Sequence, residues 1–241
     1  VGARPACRWI WVDLRARKGQ AVAVAAVVAG VVTALLLSAT LLLGATNPWR
    51  GLFAATRGAQ IWLTLAPGTQ VGWLRSEVPG ITAVAGPYQS AAATLQQGGM
   101  KVPVELRAMA PAQPTVGRAL VESGRWLHAS GPTGVVLESS LAQAVHASVG
   151  SRLVFDGLDG SSVRARVIGV AETSDQGFYP DQAPGLVWVL PGLLRRVEPV
   201  RAHVDEVVGL RIADPAADRL VLDQVIAQLP PGSVLSTQTW Q

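Results

Sequence analysis

From Ala21 to Gly44 the chain carries no charge, no Asn, no Gln and no Pro. A helix of about 24 such residues is ~36 Å long, against ~30 Å of bilayer hydrocarbon. A helix that is apolar on every side belongs in lipid or in a large core, so the pattern predicts a membrane-spanning helix. A cleaved signal peptide is the competing reading, with an apolar region of about 7–15 residues before a small-x-small site. Here the run is longer, and Leu41-Leu42-Leu43 stand where the small residues should begin. An uncleaved anchor is the better fit.

Past Gly44 the apolar positions come in short alternating runs between turn residues, the signature of strands. Strands are expected at Gln60–Leu65, Ile81–Val84, Ser90–Gln96 and Lys101–Ala108. A short helix is expected at Thr69–Glu77, stopped by Pro79-Gly80. A matching unit closes the chain: a strand at Glu206–Ile212, a helix from Asp214-Pro215 to Gln228, Pro230-Pro231-Gly232, and a strand at Ser233–Thr237. Asp before Pro is good helix-start chemistry. The two strand–helix–strand units read as βαβ units able to share one sheet. Between them lie strands at Gly134–Glu138, Ser151–Phe155, Ser162–Ala171 and Leu186–Leu190, and a helix capped by Ser139 or Ser140 that runs to Ala147. The apolar run Pro184–Val197 is too short to span lipid. The fold class expected is therefore an α+β domain on an N-terminal transmembrane α-helix. It divides into a segment 1–20, a span 21–44, an outer unit of 45–114 with 204–241, and a β-rich insertion at 115–203.

Charge sharpens the topology. Arg4, Arg8, Arg15, Arg17 and Lys18 precede the span against Asp13 alone, whereas 15 basic and 15 acidic residues follow it. The net charge of +4 is thus a membrane-flanking cluster. It puts the N-terminus in the cytoplasm and the main domain outside it, and leaves that domain without a basic footprint for nucleic acid. Trp9 and Trp11 among Arg15, Arg17 and Lys18 suit a short helix on the inner leaflet, and Trp49 suits the opposite interface. Ala26, Gly30, Ala34 and Ser38 make a small-residue stripe of the kind that permits close helix approach. Cys7 is the single cysteine, so the outer domain has no internal disulfide. Eighteen arginines against two lysines reflect coding bias rather than function.

No residue pattern announces catalysis. There is no P-loop, GxSxG, HExxH or CxxC, and His128, His146 and His203 stand far apart. Catalytic, metal and cofactor sites are all expected to be absent. Asp156-Gly157-Leu158-Asp159-Gly160 lacks the ligand set of a calcium loop and reads as a hairpin turn. A hydrolase using Ser139 or Ser140 with His146 is the weakest alternative. The loop Ser174–Gln182 sets Phe178 and Tyr179 among turn residues, which makes them the candidate partner contacts.

The motifs Gly124-Arg125-Trp126-Leu127, Gly134-Val135-Val136-Leu137-Glu138, Leu141-Ala142, Val149-Gly150-Ser151-Arg152-Leu153 and Val167-Ile168-Gly169-Val170 carry a resemblance. With a basic flank and one span before them, they make the chain similar to permease subunits of the MacB/FtsX-like (type VII) ABC transporter superfamily. The resemblance implies that the βαβ units form a porter-like subdomain and that the insertion is sabre-like. It also implies a second permease copy, a separate ATPase subunit, no catalytic residue in this subunit, and a bacterial cell membrane location. Family members continue into at least three further spans, whereas this sequence ends at Trp240-Gln241. A single-pass membrane-anchored binding or sensor domain is the alternative function.

Overall fold

The computed structural model describes residues 18–130 and 133–240. The chain divides into two compact units, one ending at Gly51 and one beginning at Leu52. The first is helical: α1 runs Lys18–Thr56, further than the span 21–44 alone requires. Its window Val22–Thr40 has a mean hydropathy of 2.5 and none of it is buried, so it is long and apolar enough to cross a membrane. The hydroxyls within this window are satisfied locally. Thr33 Oγ1 donates to the Ala29 carbonyl at 2.7 Å and Ser38 Oγ to that of Ala34 at 2.8 Å. No partner outside the helix is needed, which is what hydrocarbon demands of a polar side chain.

The second unit contains β1 (Ile61–Leu65), α2 (Leu74–Glu77), β2 (Ile81–Gln97), β3 (Met100–Ala108), β4 (Leu120–Gly124) and β5 (Gly134–Glu138). It continues with α3 (Ser139–Ala144), β6 (Arg152–Asp156), β7 (Ser162–Glu172), β8 (Gly185–Val189) and α4 (Pro191–Val197). β9 (Val204–Ile212), α5 (Asp218–Gln228) and β10 (Val234–Thr239) complete it. The expected strands are present within a few residues. The segments 81–84 and 90–96 prove to be two ends of one strand, β2.

The two strand–helix–strand units share one sheet, and they interlock. The strand order is β10-β1-β9-β2. β9 lies antiparallel between β1 and β2, and β1 lies antiparallel between β9 and β10. This is the split-βαβ arrangement. One sheet face supplies Ile61, Leu63, Leu65, Val208, Leu210 and Ile212 to a core closed by Leu74 of α2 and by Val221 and Val225 of α5. Alternation turns Trp62, Thr64, Val207 and Gly209 to the opposite face.

Strand β2 belongs to a second structure as well. Its C-terminal half pairs β3 on one side and β6 on the other. β6 pairs β7, β7 pairs β5, β5 pairs β8 and β8 pairs β3. These six strands close a ring, which removes open edges. Inside are Ala91, Ala93, Leu95, Val104, Leu106, Val135, Leu137, Leu153, Phe155, Ala165, Val167, Val187 and Val189, with Leu141 of α3 and Leu193, Leu194 and Val197 of α4 added to the same core. Burying each large apolar side chain contributes ~1.5–3 kcal/mol. Two staves of the barrel, β2 and β3, come from the segment before residue 115, so the ring of strands crosses the 114/115 boundary drawn from the sequence.

One local expectation is corrected. The N-cap of α3 is neither Ser139 nor Ser140 but Glu138, whose carboxylate accepts from the backbone N–H groups of Ser140 and Leu141, both at 3.0 Å. Two acceptor oxygens reach two otherwise unpaired helix-start donors, which a single hydroxyl cannot do. The Asp214-Pro215 start is present, with Asp214 accepting from the Ala216 N–H at 3.0 Å, and it opens as a 3₁₀ turn, Pro215–Ala217, that leads into α5. β4 was not expected at all. The Asp156–Ser162 segment is the β6–β7 hairpin, as anticipated.

Candidate functional site

The outer face of β2 and β3 and the open face of the β10-β1-β9-β2 sheet are one continuous surface, because β2 runs through both. Register places Ser90 opposite Arg107 and Ala92 opposite Glu105. Val104 and Leu106 point into the barrel, so Glu105 and Arg107 must point out of it. There they meet the loop after β7, beginning at Thr173, which contains the Ser174–Gln182 segment singled out by sequence.

A buried charge network results. Arg107 Nε donates to Glu105 Oε1 at 2.9 Å, and Nη1 lies 3.2 Å from Asp175 Oδ2. The guanidinium carbon sits 5.0 Å from the centre of the Trp62 ring, a cation–π distance. Two glycines make room for that indole. A Cβ on Gly209 would stand 2.8 Å from the Trp62 ring, and one on Gly117, whose φ is +65°, would stand 3.1 Å from it. Arg107 and Asp175 are almost wholly inaccessible. Burial, with Asp175 Oδ1 lacking a hydrogen-bond partner, pushes the Asp175 carboxyl up to about 7 despite Arg107 and the Thr173 hydroxyl. Burial alone would lower the guanidinium, but Glu105 and Asp175 outweigh it and raise it. Tyr88, facing the same group, is pushed up to about 12 by burial and then by Asp175. The pair holds the loop to β3, and removing one member of such a pair costs about 3–5 kcal/mol.

Beside the network opens a recess of ≈ 290 Å³ lined by Thr64, Ser90, Glu105, Gln176, Gln182, Asp205, Ser236 and Gln238, among others. Ser90 Oγ donates to Glu105 Oε1 at 2.9 Å. Burial and the neighbouring Glu105 raise the Asp205 carboxyl above its usual range. The recess offers carboxylates, hydroxyls and amides. Among the described residues no group of three or more His, Cys, Asp or Glu is placed to hold a metal ion.

The same loop fastens the end of α1. Ser174 Oγ and Thr56 Oγ1 are 2.7 Å apart and buried. The segment before β4 adds two backbone bonds, Gly117 N–H to the Arg57 carbonyl at 3.1 Å and Arg118 N–H to that of Thr56 at 3.0 Å. Arg118 Nε donates to the Ala55 carbonyl at 2.9 Å. The last turn of α1 is therefore part of the folded second unit.

The sequence-chosen residues fare unequally. Trp9, Trp11, Arg15 and Arg17 lie outside the described residues, and Lys18 is the first residue of α1. Trp49 is half-buried within α1. Phe178 and Tyr179 part company: Phe178 is 51 % exposed, whereas Tyr179 packs on the barrel core and its N–H donates to Ser140 Oγ at 2.7 Å. Ser139 Oγ donates to Glu122 Oε2 at 2.7 Å, and Ser140 is bound to Glu138. Both serines are thus engaged with carboxylates rather than with His146. Sequence reasoning missed Arg107, Glu105 and Asp175. A charged pair in an alternating strand beside an apolar run was the available signal, and it reads as an ordinary solvated face.

The family model for the MacB-like periplasmic core domain matches residues 19–234. Similar solved structures include the extracellular domain of the noncanonical ABC-type transporter YknZ from Gram-positive bacteria, at 15 % identity and a TM-score of 0.40, covering 75 % of this chain and 100 % of that one. The periplasmic region of MacB from Actinobacillus actinomycetemcomitans is similar at 14 % identity and a TM-score of 0.41, with 80 % and 92 % covered. A domain of a putative permease from Porphyromonas gingivalis gives 14 % and 0.39, with 76 % and 91 % covered. No curated protein matches. With nearly its whole length matched, from the start of the apolar helix to the last strand, the chain belongs to the MacB-like periplasmic core domain family.

Proposed function

We propose that the chain is the N-terminal part of an ABC-type transporter or mechanotransmission permease. Its outer domain would engage a substrate or an envelope partner while a separate subunit hydrolyses ATP. The observation that carries this reading is the family match, which takes in both the apolar helix and the outer fold. Under it α1 crosses the bacterial cell membrane, the N-terminus is cytoplasmic, and Trp9, Trp11, Arg15, Arg17, Lys18 and Trp49 sit at the two interfaces. Residues 45–114 with 204–241 form the porter-like part, 115–203 the sabre-like one, and a second permease copy completes the assembly. Phe178 is the residue of the aromatic loop offered to a partner. The chain itself performs no catalysis, needs no cofactor, and its work is to pass motion between membrane and outer domain through the fastened end of α1.

Two measurements test this. The intact gene product, purified from its native membrane, should bring down a nucleotide-binding subunit; its reproducible absence under mild detergent would end the coupling claim. Protease added to sealed, right-side-out cells should cleave loops beyond Asn47. Protection of those loops would overturn the orientation.

The polar recess favours one second reading, a membrane-anchored binding or sensor domain. Loss of ligand-dependent signalling on Glu105→Gln, with no ATPase partner recovered, would favour it over transport.

A further inference from the structure

The outside of the barrel carries an unpaired charge cluster. β6 and β7 turn Leu153, Phe155, Ala165 and Val167 inward, so Arg152, Arg164 and Arg166 face out, and all three are exposed. Arg152 stands directly opposite Arg166 in the register, and Arg164 is two residues along the same strand. Arg125 joins them: it lines a shallow depression of ≈ 450 Å³ with Gly150 and Arg166. A second depression of ≈ 500 Å³ lies between Arg152, Arg164 and Arg166. Arg166 is the wall common to both. None of the four makes an ion pair with a described carboxylate. The acid on the same face of β6, Asp156, accepts instead from the Gln96 amide.

Like charges directly opposite across a strand pair are destabilising. The residues beyond the apolar helix are electrically balanced overall, with 15 basic and 15 acidic side chains, so four cations gathered without a counter-charge create a local positive field. The use of arginine rather than lysine says nothing in a chain with two lysines; the placement is what matters.

We infer that this face of the barrel docks an acidic, extended segment of a partner protein. Arg164 and Arg166 are spaced by two residues of strand, about 6.6–6.8 Å, which is also the spacing of same-side carboxylates on an extended polypeptide. Val149, Val154 and Ile168 contribute apolar lining to the two depressions. A peptide can fill that lining with side chains, whereas a phosphate polymer would use the charge alone. The inference needs only the folded outer domain and does not depend on the transport reading.

The probe is a fluorescein-labelled decapeptide of alternating glutamate and valine, titrated by anisotropy against the full chain in phosphatidylcholine nanodiscs. The chain should bind it, more weakly as salt rises. The double variant R152Q/R166Q should lose roughly tenfold or more in affinity, the loss of a charge-assisted contact. The control R75Q/R219Q, exposed arginines elsewhere, should not change it. No binding by the unaltered chain, or equal losses in both variants, would overturn the proposal. Patch-dependent binding of inorganic polyphosphate or of phosphatidylglycerol vesicles, without patch-dependent peptide binding, would overturn it too. R152Q/R166Q should melt no lower than the parent, since it relieves repulsion. A clear fall in Tm would mean that the arginines serve the fold, and the proposal would fail.

Discussion

Ser174 donates its hydroxyl hydrogen to Thr56. Thr56 Oγ1 lies 2.8 Å from the Leu52 carbonyl, to which its own hydrogen is directed, so the 2.7 Å contact between the two side chains must be supplied by Ser174. The bond is therefore asymmetric. Ser174→Ala leaves Thr56 still bonded within its helix and should cost about 1 kcal/mol, while Thr56→Val strands a buried donor and should cost about 1–3 kcal/mol. Urea unfolding followed by tryptophan fluorescence should rank the two in that order. A reversed ranking would refute the assigned direction.

Asp175 makes stability depend on pH with an unusual sign. Its carboxyl is raised to about 7 in the folded chain from an ordinary 3.8. Between those values the folded state holds a proton that the unfolded state has released. This group's contribution is therefore full below the lower value and is lost as pH rises through the upper one. Asp175→Asn cannot titrate, so the stability difference between parent and variant should move in the parent's favour on acidification from pH 7 to pH 4. A difference that stays flat over that window would show that Asp175 titrates normally.

Arg107 is held by two carboxylates and a ring, and its loss leaves Asp175 uncompensated. Arg107→Met should destabilise by about 3–5 kcal/mol. Arg107→Met combined with Asp175→Asn should recover part of that loss in alkaline solution, where Asp175 alone would be left ionised and unpaired. Chemical denaturation of the three variants gives the coupling directly, and additive losses would argue against the pair.

Glu138 caps α3 through both oxygens. Glu138→Ala should cost about 1–2 kcal/mol, and Ser139→Ala or Ser140→Ala should each cost less. Thermal melts decide this. A serine variant worse than the glutamate one would restore the cap originally read at those hydroxyls.

Gly209 is the site where the open sheet face has no slack. Gly209→Ala drives a methyl to 2.8 Å from Trp62 and should destabilise by about 1–3 kcal/mol, as overpacking does. Trp62→Leu introduced alongside should relieve it; no relief would place the strain elsewhere.

Strand positions were legible because alternation is a local property. Val104 and Leu106 announced β3, and the Asp-Gly turn announced the β6–β7 hairpin. The first and last strand–helix–strand units were visible from repeated Pro-Gly stops. What escaped was set by distant pairing. β4 has little apolar content of its own, and Val121-Glu122-Ser123 becomes a strand because β7 supplies its partner. Arg107 lies on the strand face that alternation assigns to water, and only a loop 68 residues further along buries it. The barrel was invisible for the same reason, since closing it requires β2 to serve two sheets at once. α1 ran past Gly44 through Pro48 to Thr56, beyond the stretch that hydrophobicity alone could mark.

The interlocking of the two βαβ units has a consequence for biogenesis. β1 pairs with β9 and β10, so it waits for two strands that are synthesised only after every strand of the barrel. Until then its apolar face and both its edges stand open, the condition under which nascent chains aggregate or recruit chaperones. A chain halted before Val204 would carry all six strands of the barrel beside an orphan β1, and quality control should clear it rather than let it persist as an unfinished domain.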